Sequence, residues 1–336
     1  MPGEKPQWLL RVGWVSCGVL SLAQAPAWFD SHCHFDFEAF DTSRSEHWAL
    51  AQRHHVQGCL VPGVSRALSE SRADRLRGIP HGRALGLHPY WMNEHRQEDL
   101  DWLDSSLADV AFQRPALRLS GEIVAVGETG LDRPLAKRGG PSLREQMVWF
   151  DAQCALAHSH RLPLILHAVG THQELIHHLR ACGFTQGGMV HGFTGSEEQA
   201  RQWLDLGFVL GVGGAISRPN ASRLRALFQY SPLDALLLET DGPDMPPAFL
   251  ASSDGASSGR AGTGGTRRDA RSGSDNYHLN DTTLPAINGP AMIPLLGAIL
   301  AQIRKLDDLS QLALTLQQNA YRIFPRLTLN SSDNSL

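Results

Sequence analysis

Eight short apolar runs, separated by longer amphipathic stretches, constrain this chain more than any other feature. The runs are Trp28–His34, Gly58–Val64, Ala84–His88, Ile123–Glu128, Leu162–His167, Met189–Phe193, Phe208–Val212 and Ala235–Glu239. Helical periodicity fills the gaps at Arg44–Arg53, Ser65–Leu76, Gln97–Phe112, Ser142–His160, Thr171–Ala181, Ser196–Leu206 and Ala221–Tyr230. Two closing helices follow the eighth run, at Asn288–Arg304 and Leu309–Ile323. Ser196 reads as an N-cap, with Glu197 and Glu198 in the first turn where the helix dipole favours them. This alternation argues for repeated βα units around a parallel sheet. Eight units predict an α/β fold of the (β/α)8 TIM-barrel type rather than two open sheets.

The barrel is expected to span residues 28–330, with a six-residue tail at 331–336. Residues 1–27 carry the outline of a signal peptide: Arg11, an apolar stretch from Val12 to Leu22, and Ala23-Gln24-Ala25. Against that outline, positive charge is sparse, and Gly13, Ser16, Cys17, Gly18 and Ser21 interrupt the stretch. The expectation is a poorly ordered extension and a cytoplasmic protein. No apolar run reaches the length of about 18 residues that would predict a membrane span. Ala251–Asp275 is rich in Ser, Gly, Arg and Asp and has almost no large apolar residues. It cannot bury enough surface to offset its ordering entropy, so a disordered insert is expected there. Following the eighth strand, it would hang from the catalytic face, bringing Arg260, Arg267, Arg268 and Arg271 with it.

Chemistry-bearing residues cluster at the ends of the runs. In Asp30-Ser31-His32-Cys33-His34-Phe35-Asp36, alternation along a strand would put His32 and His34 on one face and Cys33 on the other. Glu128 ends the fourth run, His167 the fifth and His191 the sixth, and Asp241 follows the eighth. Active sites of (β/α)8 barrels lie at the C-terminal strand ends. A polar group at the end of an apolar strand is costly unless something satisfies it. Six nitrogen and oxygen donors on one rim therefore predict a metal centre built from His32, His34, Glu128, His167, His191 and Asp241. His88, ending the third run, is expected to support that centre. His54, His55, His81, His158, His160, His177 and His178 fall in helical or loop stretches and are expected to be solvated.

Composition narrows the function. Thirty Lys and Arg face 34 Asp and Glu, a formal charge of −4, which excludes a surface that is basic overall, as in proteins that coat duplex DNA. The five cysteines form no C-x-x-C pair, which argues against a disulfide framework or a Cys-type zinc motif. Only Lys5, Lys137 and Lys305 are lysines, and none ends a run.

Taken in order, these motifs resemble the TatD family of metal-dependent deoxyribonucleases, within its YjjV-like branch. The likeness rests on the Asp30–Asp36 segment, Gly86-Leu87-His88-Pro89, Val126–Asp132, Leu162–His167, Val190–Gly195, Gly211–Gly214 and Leu237–Pro246. Asn319 and Phe324 match the family's closing N-x-x-x-x-F. The resemblance implies a barrel of the amidohydrolase superfamily with two divalent ions: zinc, magnesium or manganese. It would place His32 and His34 on the first ion, Glu128 between the two, and His167 and His191 on the second. Asp241 would touch the first ion and handle the proton of the attacking water. Glu128 stands where many superfamily relatives use a carboxylated Lys, which favours the TatD-like arrangement. Two positions depart from the family: Ala168-Val169 replaces Ser-Arg after His167, and Asn288-Gly289-Pro290 replaces N-R-P. Both remove an Arg near where phosphate would bind, although Asn288 is still expected to serve the substrate side of the site.

The implied activity is metal-dependent phosphodiester hydrolysis on single-stranded DNA, 3′–5′ and exonuclease-like, by a monomer with no membrane and no obligate protein partner. A small ester, amide or phosphoester is the alternative substrate for the same ions. A non-catalytic binding barrel is the alternative from another class, and the complete donor set argues against it.

Overall fold

A computed structural model describes residues 27–72, 74–112, 121–250, 277–279, 282–284 and 287–327. The expected insert and C-terminal tail lie outside these residues, as does the N-terminal extension apart from residue 27.

Eight parallel strands form one sheet in sequence order: β1 (Trp28–Asp30), β2 (Val56–Val61), β3 (His81–Leu85), β4 (Glu122–Asp132), β5 (Leu164–Val169), β6 (Gly188–Val190), β7 (Phe208–Val212) and β8 (Leu236–Leu238). Backbone bonds at the strand ends close the ring: the Ser31 amide donates to the Leu238 carbonyl at 3.0 Å, and the Asp241 amide to the His32 carbonyl at 2.8 Å. The connecting helices are α1 (Arg44–Arg53), α2 (Arg66–Ser71), α3 (Gln97–Phe112), α4 (Arg133–Lys137), α5 (Leu143–Ser159), α6 (His172–Ala181), α7 (Glu197–Asp205) and α8 (Ser222–Tyr230). Two more, α9 (Ile293–Arg304) and α10 (Leu309–Ile323), complete the outer layer. Ser142 and Ser196 close capping boxes on α5 and α7.

Strand alternation sorts the core into two parts. Phe29, Leu60, Ala84, Val124, Ile165, Met189, Val209 and Leu237, one from each strand, pack together inside the barrel. Their neighbours, such as Leu164 and Leu166, or Leu236 and Leu238, face the helices instead. Ile323, Phe324 and Leu327 plug the floor of this interior. Asn319 holds the plug in register by donating to the Leu233 and Leu236 carbonyls at 2.8 and 2.9 Å. The closing N-x-x-x-x-F is thus the barrel's bottom cap. With an apolar layer and plug below, polar groups that face inward collect at the opposite rim.

Several elements differ from the expectation. Strand β1 stops at Asp30, so His32 and His34 follow it in irregular chain. Amides there still bond alternately to the flanking strand ends, with Cys33 donating to Leu60 and His34 to Gly242. Cys33 is fully buried, as its expected face requires. Helix α2 ends at Ser71 and gives way to turns closed by Arg75–Arg72 and Arg77–Asp74 backbone bonds. Helix α4 and an antiparallel hairpin, β9 (Tyr277–Leu279) with β10 (Thr282–Leu284), were not legible from periodicity. His81 is a correction: it opens β3, is buried, and pairs through Nδ1 with the Ile79 carbonyl at 2.8 Å.

Candidate metal centre

Inward-facing positions one step above the apolar layer carry the site. His167 follows Ile165 by two residues, His191 follows Met189 by two, and Glu239 follows Leu237 by two, so each continues its strand's inward face. Gly86 and Gly211 hold the corresponding places after Ala84 and Val209, and both leave needed space. A methyl group on Gly211 would stand 2.6 Å from the Glu239 carboxylate, and one on Gly86 2.4 Å from the Gly127 backbone. The room beside Gly86 accommodates a break in β4, whose register with β5 shifts between Val126 and Thr129. Gly127 has a φ of 148°, a left-handed value that favours glycine. The Glu128 amide donates to Gly63 at 2.7 Å, and Gly63 returns a bond to Gly127 at 3.1 Å. A local irregularity of this kind re-aims a side chain, here Glu128, into the barrel mouth.

The structure brings all six expected donors together. Glu128 stands at the centre and divides its two oxygens. Its Oε2 lies 3.3 Å from the Nε2 atoms of both His32 and His34. Its Oε1 lies 2.9 Å from His167 Nδ1 and 2.8 Å from His191 Nε2. Asp241 closes the first side, with Oδ1 3.3 Å from His32 Nε2 and 3.7 Å from His34 Nε2. His167 Nδ1 and His191 Nε2 are 3.1 Å apart on the second side. All six side chains are buried.

Asp241 is held firmly. Its backbone adopts the left-handed region, φ 53°, where Asp is among the better-tolerated residues. Preceding it, Thr240 is pinned to Asp30 by an amide bond of 3.0 Å and a hydroxyl bond of 2.6 Å. Burial pushes the Asp30 carboxyl up to about 7. Asn288 lies beneath this loop and donates its amide to the Thr240 and Asp244 carbonyls. Its place is therefore under Asp241, shaping the loop. Gly289 packs so closely that a Cβ would stand 2.8 Å from His47 and 3.0 Å from Phe40. A side chain at that position would have to displace His47 and Phe40. At the other departure, Val169 is partly exposed on the rim, and Arg133 reaches the same loop, donating to Gly170 at 2.7 Å and pairing with Glu174.

His88 presents Nε2 to Glu128 Oε1 at 3.1 Å, while its Nδ1 accepts the Tyr90 amide at 3.1 Å. Burial pushes its pKa down to about 4, so the ring is neutral. A neutral ring that accepts at Nδ1 carries its proton on Nε2, so His88 donates to Glu128. Two carboxylates were missed in the sequence. Asp132 Oδ2 lies 3.0 Å from His167 Nε2 and accepts from the Tyr90 hydroxyl at 3.1 Å. Glu239 accepts from the Gly192 amide and approaches His32 and His191 with donor atoms mutually within 4.8 Å. Burial lifts the Glu239 carboxyl to about 8. The inward step from Leu237 was the signal that could have found it.

The charge pattern calls for a cation. Burial works against ionisation of Glu128, yet the imidazoles gathered round it hold its carboxyl well below the ordinary range. Asp241 is likewise lowered against its burial, chiefly by His191 and His32. Burial opposes a charge on His32, but Glu128 and Asp241 outweigh it and hold its pKa well above the usual value. Two ionised carboxylates thus draw protons onto buried imidazoles, protons that a divalent ion displaces. The Nδ1 atoms of His32, His34 and His191 are buried without a hydrogen-bond partner among the described residues. Ligands about 2.0–2.1 Å from one tetrahedral ion stand roughly 3.3 Å apart. That is the spacing of His32 and His34 from Glu128 and of His32 from Asp241, so these four residues fit a metal.

Known proteins share this architecture. A profile of the family described as TatD related DNase matches residues 29–325. The chain is 38% identical over 224 residues to the uncharacterized metal-dependent hydrolase YjjV of Escherichia coli K12, covering 65% of this chain and 80% of that one. It is 32% identical over 228 residues to the 3′–5′ ssDNA/RNA exonuclease TatD of Cronobacter sakazakii, covering 66% and 81%. The crystal structure of E. coli YjjV superposes with a TM-score of 0.69 at 31% identity, covering 89% of this chain and 98% of that one. The chain belongs to the TatD-related DNase family and is a metal-dependent hydrolase built on a (β/α)8 barrel.

Proposed function

We propose that this protein cleaves phosphodiester bonds in single-stranded DNA from the 3′ end, with two divalent ions in the barrel mouth. The observation that carries the reading is the division of Glu128, one oxygen toward His32 and His34, the other toward His167 and His191. His32, His34, Glu128 and Asp241 would hold the first ion, and Glu128, His167 and His191 the second. Bound there, the pair supplies Lewis acidity that makes a water nucleophilic near neutral pH and polarises the scissile phosphoryl group. Asp241 accepts the proton of the attacking water and returns it to the leaving oxygen. His88 donates to Glu128 and fixes that carboxylate's orientation. Asp132 accepts from His167 Nε2 and so keeps the Nδ1 lone pair facing inward. Nucleic acid as substrate rests on the relatives named as ssDNA/RNA exonucleases.

The test is cleavage of 5′-labelled single-stranded DNA with magnesium, manganese or zinc. Stepwise shortening from the 3′ end is expected, falling by roughly 10²–10⁴ in Asp241→Asn. Intact DNA under all three metals would refute the reading. A second reading, hydrolysis of a small phosphoester, ester or amide, is favoured by Val169 and Gly289 at the family's arginine positions. Turnover of a small-substrate panel with inert DNA would select it.

A further inference from the structure

A second set of metal-binding side chains lies on the outer layer, away from the strand-end rim. Helix α5 packs on β4 and α6 on β5. Cys154 projects from α5, His178 from α6, and Cys182 is the C-cap of α6. The two sulfurs are 3.8 Å apart. Donor atoms of all three residues lie within 4.8 Å of one another. Asp151, three residues before Cys154, places Oδ1 3.0 Å from His178 Nε2. Residues three or four apart on a helix share a face, so each helix presents two of these groups to the other. Cys154 is buried, His178 half-buried with its ring against Phe150 at 5.4 Å, and Cys182 exposed.

We propose that Cys154, His178 and Cys182 form a second, sulfur-containing metal site that binds one zinc ion and ties α5 to α6. Two thiolates at about 2.3 Å from a tetrahedral zinc stand roughly 3.8 Å apart. The sulfurs already have that separation, and the imidazole is within reach of the same point. Two thiolates neutralise the ion's charge, and Asp151 sets a carboxylate beside the imidazole donor. Such outer partners fix ring orientation in metal sites. On binding, both thiols release their protons to solvent. Burial and the neighbouring Cys182 push the Cys154 thiol up, so without a cation it stays protonated. This set carries sulfur where the hydrolase centre carries only imidazole and carboxylate, so a soft ion such as cadmium favours it.

The difference in donor atoms also separates them by spectroscopy. The hydrolase centre offers only nitrogen and oxygen, so sulfur-to-cadmium charge-transfer absorption reports the helix site alone. Titrating the reduced full-length protein with cadmium should give that ultraviolet band, saturating at one equivalent. The band should vanish in Cys154→Ser/Cys182→Ser and persist in Glu128→Gln. Cys182→Ser alone, at an exposed position, should abolish two-sulfur binding without loss of folding. Zinc content should fall by one equivalent per chain in the double variant. Absence of the band would overturn the proposal, as would a band that survives the double variant. So would a purified protein in which Cys154 and Cys182 form a disulfide and no zinc is lost on their replacement.

Discussion

Replacing Asp132 with Ser tests the centre through a residue that would touch neither ion. Asp132 does three things in the fold, one of them accepting the Tyr90 hydroxyl at 3.1 Å. Its Oδ1 caps α4 by accepting the Leu135 amide, and its Oδ2 meets His167 Nε2 at 3.0 Å. Serine is about as good an N-cap as aspartate, so the cap itself should change by no more than about 0.5 kcal/mol, while the lost contacts to His167 and Tyr90 should cost the metal-free variant about 1–3 kcal/mol. The serine hydroxyl is too short to reach His167. The imidazole then loses the acceptor that keeps its proton on Nε2, and the tautomer that points N–H at Glu128 and His191 becomes competitive. Loss of such an outer partner weakens metal binding about 10–100-fold, or roughly 1.4–2.7 kcal/mol. Competition with a chelating dye would measure both affinities, and urea denaturation of the metal-free protein would check the cap. Weakening should be confined to one ion, the one nearest His167. Unchanged affinity for both ions in a well-folded Asp132→Ser protein would refute the assignment of His167.

Other consequences can be measured directly. Gly297→Ala would place a methyl group 2.3 Å from the Trp28 ring, and overpacking of about 1–3 kcal/mol should outweigh the roughly 1 kcal/mol helical gain; a urea midpoint above that of the parent would contradict this. Burial pushes His172 from 6.5 down to about 4, where it accepts the Trp203 indole N–H at 3.2 Å. The unfolded chain takes up a proton in that window and the folded one does not, so up to about 3 kcal/mol of stability is lost as pH falls through it. His172→Gln keeps an acceptor but does not titrate, and parallel acid denaturation curves for the two proteins would dismiss the effect. Stripping the ions with a chelator should lower Tm, and returning them at about 100 times Kd should restore roughly 2.7 kcal/mol; a Tm indifferent to metal would argue against the centre.

Much of the barrel was legible because parallel strands with both faces covered read as unbroken apolar runs. Leu164-Ile165-Leu166 gives no alternation to the eye, since Ile165 faces the interior while its neighbours face the helices. The run therefore announced a strand but hid which residues point inward. That is why His167 and His191 were found as run-ending polar residues, whereas Glu239 was passed over within Glu239-Thr240-Asp241. Asp132 was hidden differently: β4 runs four residues beyond Glu128, carrying Asp132 past the place where the run seemed to end. His81 was misread because its burial depends on pairing across the sheet. His47, His95 and His172 are buried by helix and loop packing that no local pattern encodes.

The position of Glu128 explains why the centre needs its glycines as much as its ligands. With Ala125 inside and Val126 against the helices, a regular β4 would turn Gly127 to the interior and Glu128 to the helices. The shift after Val126 breaks that step and lets one carboxylate stand between histidines from both sides of the mouth. Such a carboxylate can be reached only if the neighbouring strands withdraw. Gly86 on one side and Gly127 in the break have no side chain to occupy the space. Gly211 makes the same allowance for Glu239 across the mouth. Below them the apolar layer and the Phe324 plug exclude water from the donors' lower side, which raises the cost of leaving their charges unmatched. Burial and unfilled side-chain volume therefore act together: the fold concentrates two ionised carboxylates and four imidazoles in a dry, roomy mouth, a charge arrangement that bound metal would resolve.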